Sequence, residues 1–176
     1  TICCDVLALE VGRVLEHGNV DLLWASPPCT QYSCARTTAR TPRDLAGADA
    51  MVLKVLDLAD LLFCYYLIEN PHSGLLKTRE VVAGIPMQVL DYCSYGTAYR
   101  KRTSIWTNSD FVPARSLCKK DCEASDGKRH LRRAQRAGPG SVLYTNPRAP
   151  ENGSKHVCHL MQETQQKKHQ HITKTD

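Results

Sequence analysis

Two short apolar runs, each cut off near proline, constrain this chain more than any other feature. Val20-Asp21-Leu22-Leu23-Trp24-Ala25 ends at Ser26-Pro27-Pro28, and Cys64-Tyr65-Tyr66-Leu67-Ile68 ends just before Asn70-Pro71. Runs of that length, closed by turn residues, read as strands. Between them, Asp44 is placed to cap a helix running through Leu62, with Leu53, Leu56, Ala59, Leu62 and Phe63 at helical spacing. Upstream, Thr1–Asp5 reads as the end of a buried strand, so the order to Ile68 is strand, helix, strand, helix, strand. That alternation predicts an α/β fold with a parallel sheet and helices on both faces. In such sheets the chemistry sits in loops at the carboxyl ends of the strands. Met87–Tyr92 and Thr103–Thr107 are two further strand candidates.

The 176 residues suit a compact α/β core at residues 1–112, followed by a Cys- and Arg-rich segment at 113–140. From 141 to 176 the chain is polar, with almost no apolar residue after Met161, and reads as a flexible tail. No apolar run approaches the ~20 residues of a membrane span. Thr1-Ile2-Cys3-Cys4-Asp5 carries no basic leader. Nine cysteines, an odd number, fit reactive or metal-bound thiols in a reducing compartment better than a disulfide scaffold. The expected location is intracellular, in cytoplasm, nucleoid or nucleus, with no membrane partner. The start without Met, inside an apparent strand, reads as a fragment. The formal charge is +5, but it is uneven. Arg36, Arg40 and Arg43 lie in an acid-free stretch, as do Lys128, Arg129, Arg132, Arg133 and Arg136. Such stretches suit either a polyanion, whose counterions they release, or a solvated surface.

Four groups of residues carry chemistry. In Pro27-Pro28-Cys29, two prolines stiffen the loop and hold the next side chain at a set angle, which makes Cys29 a candidate nucleophile. Arg36 and Arg40 favour its thiolate if the loop folds back. Glu69 follows the second strand and would lie beside Cys29 if the two strands are neighbours, as an acid or hydrogen-bond donor. Arg100 and Arg102 in Tyr95-Gly96-Thr97-Ala98-Tyr99-Arg100-Lys101-Arg102 share one side of an extended segment and can hold a carboxylate, a phosphate or a pyrimidine carbonyl. Finally, Cys118-x3-Cys122-x7-His130 is spaced for a tetrahedral metal, and the His favours zinc over iron–sulfur. The fourth ligand is Cys93, His156, Cys158 or His159, with Cys93 preferred because it lies outside the polar tail. Arg129, Arg132, Arg133 and Arg136 would form one basic face if that segment is helical.

Taken in order, Pro27-Pro28-Cys29, Glu69-Asn70-Pro71 and Tyr-Gly followed by Arg-x-Arg resemble the signatures of the C5 cytosine-specific DNA methyltransferase family. The likeness covers roughly residues 1 to 110 and is nearest to short phage- or virus-like members. It implies a partial Rossmann-like methyltransferase sheet with a Cys/His zinc-binding insertion. It also implies S-adenosylmethionine as cofactor, contacted by Asp5 and Pro27, and double-stranded DNA as partner. Cys29 would attack carbon 6 of a flipped-out cytosine and Glu69 would engage ring nitrogen 3, while Arg102, with Arg100, steadies base and glutamate. Thr30–Arg43 would be a loop closing over DNA, with Arg36 and Arg40 on phosphates; Arg129, Arg132 and Arg133 would hold the duplex elsewhere.

The chain departs from the family pattern in three places. Thr30 precedes Gln31, Asn70 is followed by Pro71 rather than Val, and the Tyr95–Arg100 segment is one residue short. No Gly-rich cofactor loop precedes Thr1. Two other readings stand beside this one: an RNA cytosine methyltransferase of the same fold, which the same residues fit, and an inactive zinc-stabilised nucleic-acid binder, which the missing cofactor loop favours. Target sequence and oligomeric state are not written in these motifs.

Overall fold

The computed structural model describes residues 2–37 and 39–133, the last by its backbone alone. Arg136, the expected tail, and the alternative ligands His156, Cys158 and His159 lie outside the described residues. In chain order the elements are α1 (Val11–Leu15), β1 (Leu22–Ala25), α2 (Leu45–Leu61), β2 (Tyr65–Pro71), β3 (Met87–Asp91), β4 (Tyr99–Arg100), β5 (Arg102–Thr107) and β6 (Arg132–Arg133). Short 3-10 turns cover Val6–Ala8, Leu75–Thr78, Glu80–Val82 and Tyr92–Tyr95. Two compact units result: residues 2–89 with 102–112, and residues 90–101 with the described residues from 113 onward. No described helix is long and apolar enough to cross a membrane.

The α/β class holds, but the sheet is small and mixed. Its strand order is β1-β2-β5-β3. β1 and β2 are parallel, with Ala25 opposite Ile68. β2 and β5 are antiparallel, with Ile68 opposite Trp106 and Glu69 opposite Ile105. The all-parallel expectation fails at β5, which runs antiparallel to β2. Helices on both faces are not seen among the described residues, where α1 has five residues and buries none. Ile2–Asp5 is not a strand either. Asp5 instead caps the Val6–Ala8 turn by accepting from Leu7 N at 3.0 Å, a local bond that competes with extended pairing.

Helix α2 begins as expected, with Asp44 accepting from Gly47 N at 2.8 Å. Its buried face differs from the expected stripe. Ala48, Val52, Val55, Leu58 and Ala59 are buried, whereas Leu53 is 49% and Phe63 95% exposed. A helix this rich in apolar residues offers more than one stripe at the 3.6-residue period. Packing against Ile68 and Trp106 on the sheet selects one of them. Tyr32, Leu76 and Val82 complete that core.

In the second unit β4 and β6 pair in parallel, Tyr99 opposite Arg132 and Arg100 opposite Arg133. Arg132 and Arg133 are therefore extended, and the expected basic helical face does not form there. A turn explains why. Asp126 Oδ1 accepts from Lys128 N and Arg129 N, Gly127 adopts φ +85°, and Ser125 bridges to His130. The chain leaves this turn extended, and its backbone groups are satisfied by β4 rather than by a helical ladder.

Candidate active site and metal centre

Because β1 and β2 are parallel neighbours, their carboxyl ends open on the same side of the first unit. Pro27-Pro28-Cys29 leaves from one end, and Glu69-Asn70-Pro71 closes the other. A hydrogen bond joins them: Asn70 Nδ2 donates to Pro27 O at 3.0 Å. Asn70 is fully buried, so the carbonyl two residues before Cys29 is held at a set position against β2. Cys29 itself is half-buried, neither sealed nor freely exposed. Glu69 is buried in β2, one residue before the clamp. By strand alternation it lies on the opposite sheet face from Ile68 and Asn70. Arg102 opens β5, and its carbonyl accepts from His72 N at 3.0 Å.

The segment after Cys29 is firmly anchored. Tyr32 is fully buried in the core and donates to Asp49 Oδ1 at 2.9 Å. Arg79 grips the same carboxylate through Nε at 3.0 Å and Nη2 at 2.7 Å. Burial, then the adjacent Asp49, pushes the Tyr32 phenol well above its usual value. Gly74 lets the chain turn past this point: a Cβ there would meet Pro71 O at 3.1 Å. Arg36 donates to Gln31 Oε1, Pro42 O, Thr41 O and Thr41 Oγ1, stitching the loop to itself. Arg43 donates to Gln31 O and Ser33 O. Arg40 remains exposed.

The metal-spaced residues of the second unit come together. One ligand atom from each of Cys93, Cys118, Cys122 and His130 lies within 4.8 Å of all the others, a cluster that could hold a metal ion. Cys118 Sγ and Cys122 Sγ are each 3.4 Å from His130 Nε2. Two corners of a tetrahedral zinc site, one sulfur and one nitrogen, stand about 3.6 Å apart for ordinary Zn–S and Zn–N bonds. Cys93 arrives from the Tyr92–Tyr95 turn directly after β3. Lys120, at φ +73°, reverses the chain between Cys118 and Cys122 and donates its N–H to Cys118 Sγ at 3.2 Å.

The thiols share protons unequally. Burial and hydrogen bonds to Cys118 and Cys122 push the Cys93 thiol up to about 12. Burial would raise Cys118 as well, but hydrogen bonds from the Lys120 N–H and the neighbouring cysteines hold it below the ordinary thiol value. A metal binds the thiolate form, so a cation at this cluster would displace thiol protons.

The other expected site residues divide between the two units. Arg100 donates from Nε to the buried Asp91 at 3.3 Å. Arg129 is largely exposed and 3.7 Å from Asp126, and Arg132 is exposed. Asp5 is exposed at its turn, and Pro27 is half-buried. Sequence reasoning singled out neither Asn70 as the clamp nor Tyr32 and Asp91 as anchors. Only the position of Asn70 beside Glu69 hinted at its part.

No family model matches the chain. A probable DNA (cytosine-5)-methyltransferase of Frog virus 3 (isolate Goorha) is 33% identical over 134 residues, covering 67% of this chain. The chain spans 60% of the length of that relative. With its motif loops joined at the ends of two parallel strands and this likeness over most of its length, the chain belongs to the C5 family of cytosine-specific DNA methyltransferases.

Proposed function

We propose that the protein methylates carbon 5 of cytosine in double-stranded DNA, with Cys29 as the nucleophile. The observation that carries this reading is the Asn70–Pro27 hydrogen bond, which ties the Cys29 loop to the strand that bears Glu69. In the proposed reaction the Cys29 thiolate adds to carbon 6 while Glu69 hydrogen-bonds ring nitrogen 3, so electron density moves to carbon 5. S-adenosylmethionine supplies the methyl group. After transfer, the carbon 5 proton leaves to a base, the Cys29–carbon 6 bond breaks, and aromaticity returns. Arg102, with Arg100, steadies the base and the glutamate.

Asp5 and Pro27 are assigned to the adenine end of the cofactor. A carboxylate has about four acceptor sites, so Asp5 can bind an amino group while capping Leu7 N. Pro27 offers a half-buried apolar ring. The target base must leave the stack to reach Cys29. Arg40, Arg129, Arg132 and Arg133 are assigned to phosphates; Arg36 can join them only by giving up its bonds within the loop. The metal is zinc in a structural role, because four protein ligands leave no open position for substrate. A DNA-modifying role fits an intracellular setting.

Trapping tests the assignment. A duplex carrying 5-fluorocytosine, incubated with S-adenosylmethionine, should form a covalent adduct with the protein and none with Cys29→Ser. If Cys29→Ser methylates DNA as well as the wild type, Cys29 is not the nucleophile. If the wild type binds duplex without forming an adduct, the protein is a nucleic-acid binder rather than an enzyme.

A further inference from the structure

Asp91 does something that neither the metal cluster nor the arginine motif requires alone: it joins them. It ends β3 with its side chain fully buried. One oxygen, Oδ2, accepts the Cys118 N–H at 3.1 Å, on the backbone of a metal-cluster residue. The other, Oδ1, accepts Nε of Arg100 at 3.3 Å. A carboxylate without solvent is costly unless it is paired and hydrogen-bonded, and these two contacts supply both conditions. A second link runs through the backbone. His130 is followed two residues later by β6, which pairs with the strand that carries Arg100. Arg100 is thus held on its side chain and on its main chain by groups organised around the cluster. Its side chain keeps 35% of its surface exposed. A guanidinium has five N–H donors, and the Nε contact uses one of them.

We propose that the metal centre is a positioning device for Arg100, with Asp91 as the positioning residue that transmits it. Metal on Cys93, Cys118, Cys122 and His130 fixes the Cys118 N–H and the start of β6. These orient Asp91 and β4, and so aim the Nη edge of Arg100. The inference rests on the reading of Arg100 as a group that steadies the target base. Its physical core, a metal-dependent β4, does not depend on that reading.

The experiment compares wild type, Asp91→Asn, Arg100→Ala and the double variant, each loaded with one equivalent of zinc, and wild type stripped by a chelator. In Asp91→Asn the amide oxygen can still accept from Cys118 N but the side chain carries no charge, so zinc content should stay at the wild-type value. Hydrogen exchange at Tyr99–Lys101 should speed up roughly tenfold or more in Asp91→Asn and in stripped wild type, because exchange tracks local opening. Adduct formation on the 5-fluorocytosine duplex should fall equally in Asp91→Asn and Arg100→Ala, and no further in the double variant, as expected for one coupled unit. Unchanged exchange at Tyr99–Lys101 after stripping would overturn the proposal. So would losses that multiply in the double variant. If Asp91→Asn does not fold, stripped wild type still decides the link. If wild type forms no adduct, the catalytic reading fails while the exchange result stands on its own.

Discussion

At the scale of single residues, the first unit depends on side chains that immobilise the loop around Cys29. Asn70→Ala leaves the carbonyl of half-buried Pro27 without this donor, and the loss of such a bond costs about 0.5–1.5 kcal/mol. The larger effect is on geometry, since a displacement of about 1 Å at a reacting group can cost ~100-fold in rate. Adduct formation should slow by up to that factor, with a smaller loss in urea stability. A variant that traps DNA at the wild-type rate would remove Asn70 from the site. Tyr32 makes a different prediction. Its folded-state value lies above the unfolded one, so its contribution to stability is complete below pH ~10 and is lost as the pH rises beyond it. In Tyr32→Phe the alkaline fall in urea midpoint should be shallower. At neutral pH this variant should cost only about 1 kcal/mol, because Arg79 still pairs Asp49. Equal alkaline slopes in the two proteins would contradict the burial of this phenol.

At the scale of elements, the stretch from Cys118 to His130 has almost no core of its own: Cys118 is buried, while Leu117 and Leu131 are 40% and 66% exposed. Its shape comes from turns at Lys120 and Gly127 and from convergence on the cluster. Metal binding in such segments is folding free energy. Chelation should therefore open Lys119, Lys120, Lys128 and Arg129 to trypsin, while α2, packed on Ile68 and Trp106, keeps its helical signal. Cleavage that ignores chelator would show that the segment stands without metal. The basic residues illustrate the same principle. Spacing alone allowed a helix through Arg129–Arg133, but anchoring of His130 sends the chain out extended onto β4.

At the scale of the whole molecule, the loop bearing Cys29 and the strand end bearing Glu69 belong to neighbouring strands of a small mixed sheet in one unit, and the Cys/His cluster and Arg100 belong to the other. Local signals reported the parts well. The apolar runs, the Asp44 cap and the Cys118-x3-Cys122-x7-His130 spacing are encoded within a few residues, where backbone propensity and side-chain period act directly. What they could not report were choices between distant partners. Of the possible fourth metal ligands, the described residues bring Cys93 to the cluster. The Asn70–Pro27 clamp spans 43 residues, and the Asp91–Cys118 link spans 27. The buried stripe of α2 was also undecided, since several faces of that helix could have met a core. By itself, then, the sequence determined which groups are present, where the β1 and β2 strands and the α2 helix lie, and which loops follow those strands. The tertiary structure alone decided strand direction, helix facing and the pairing of buried polar groups. Periodicity states that a face must leave water, but only long-range packing states what it meets.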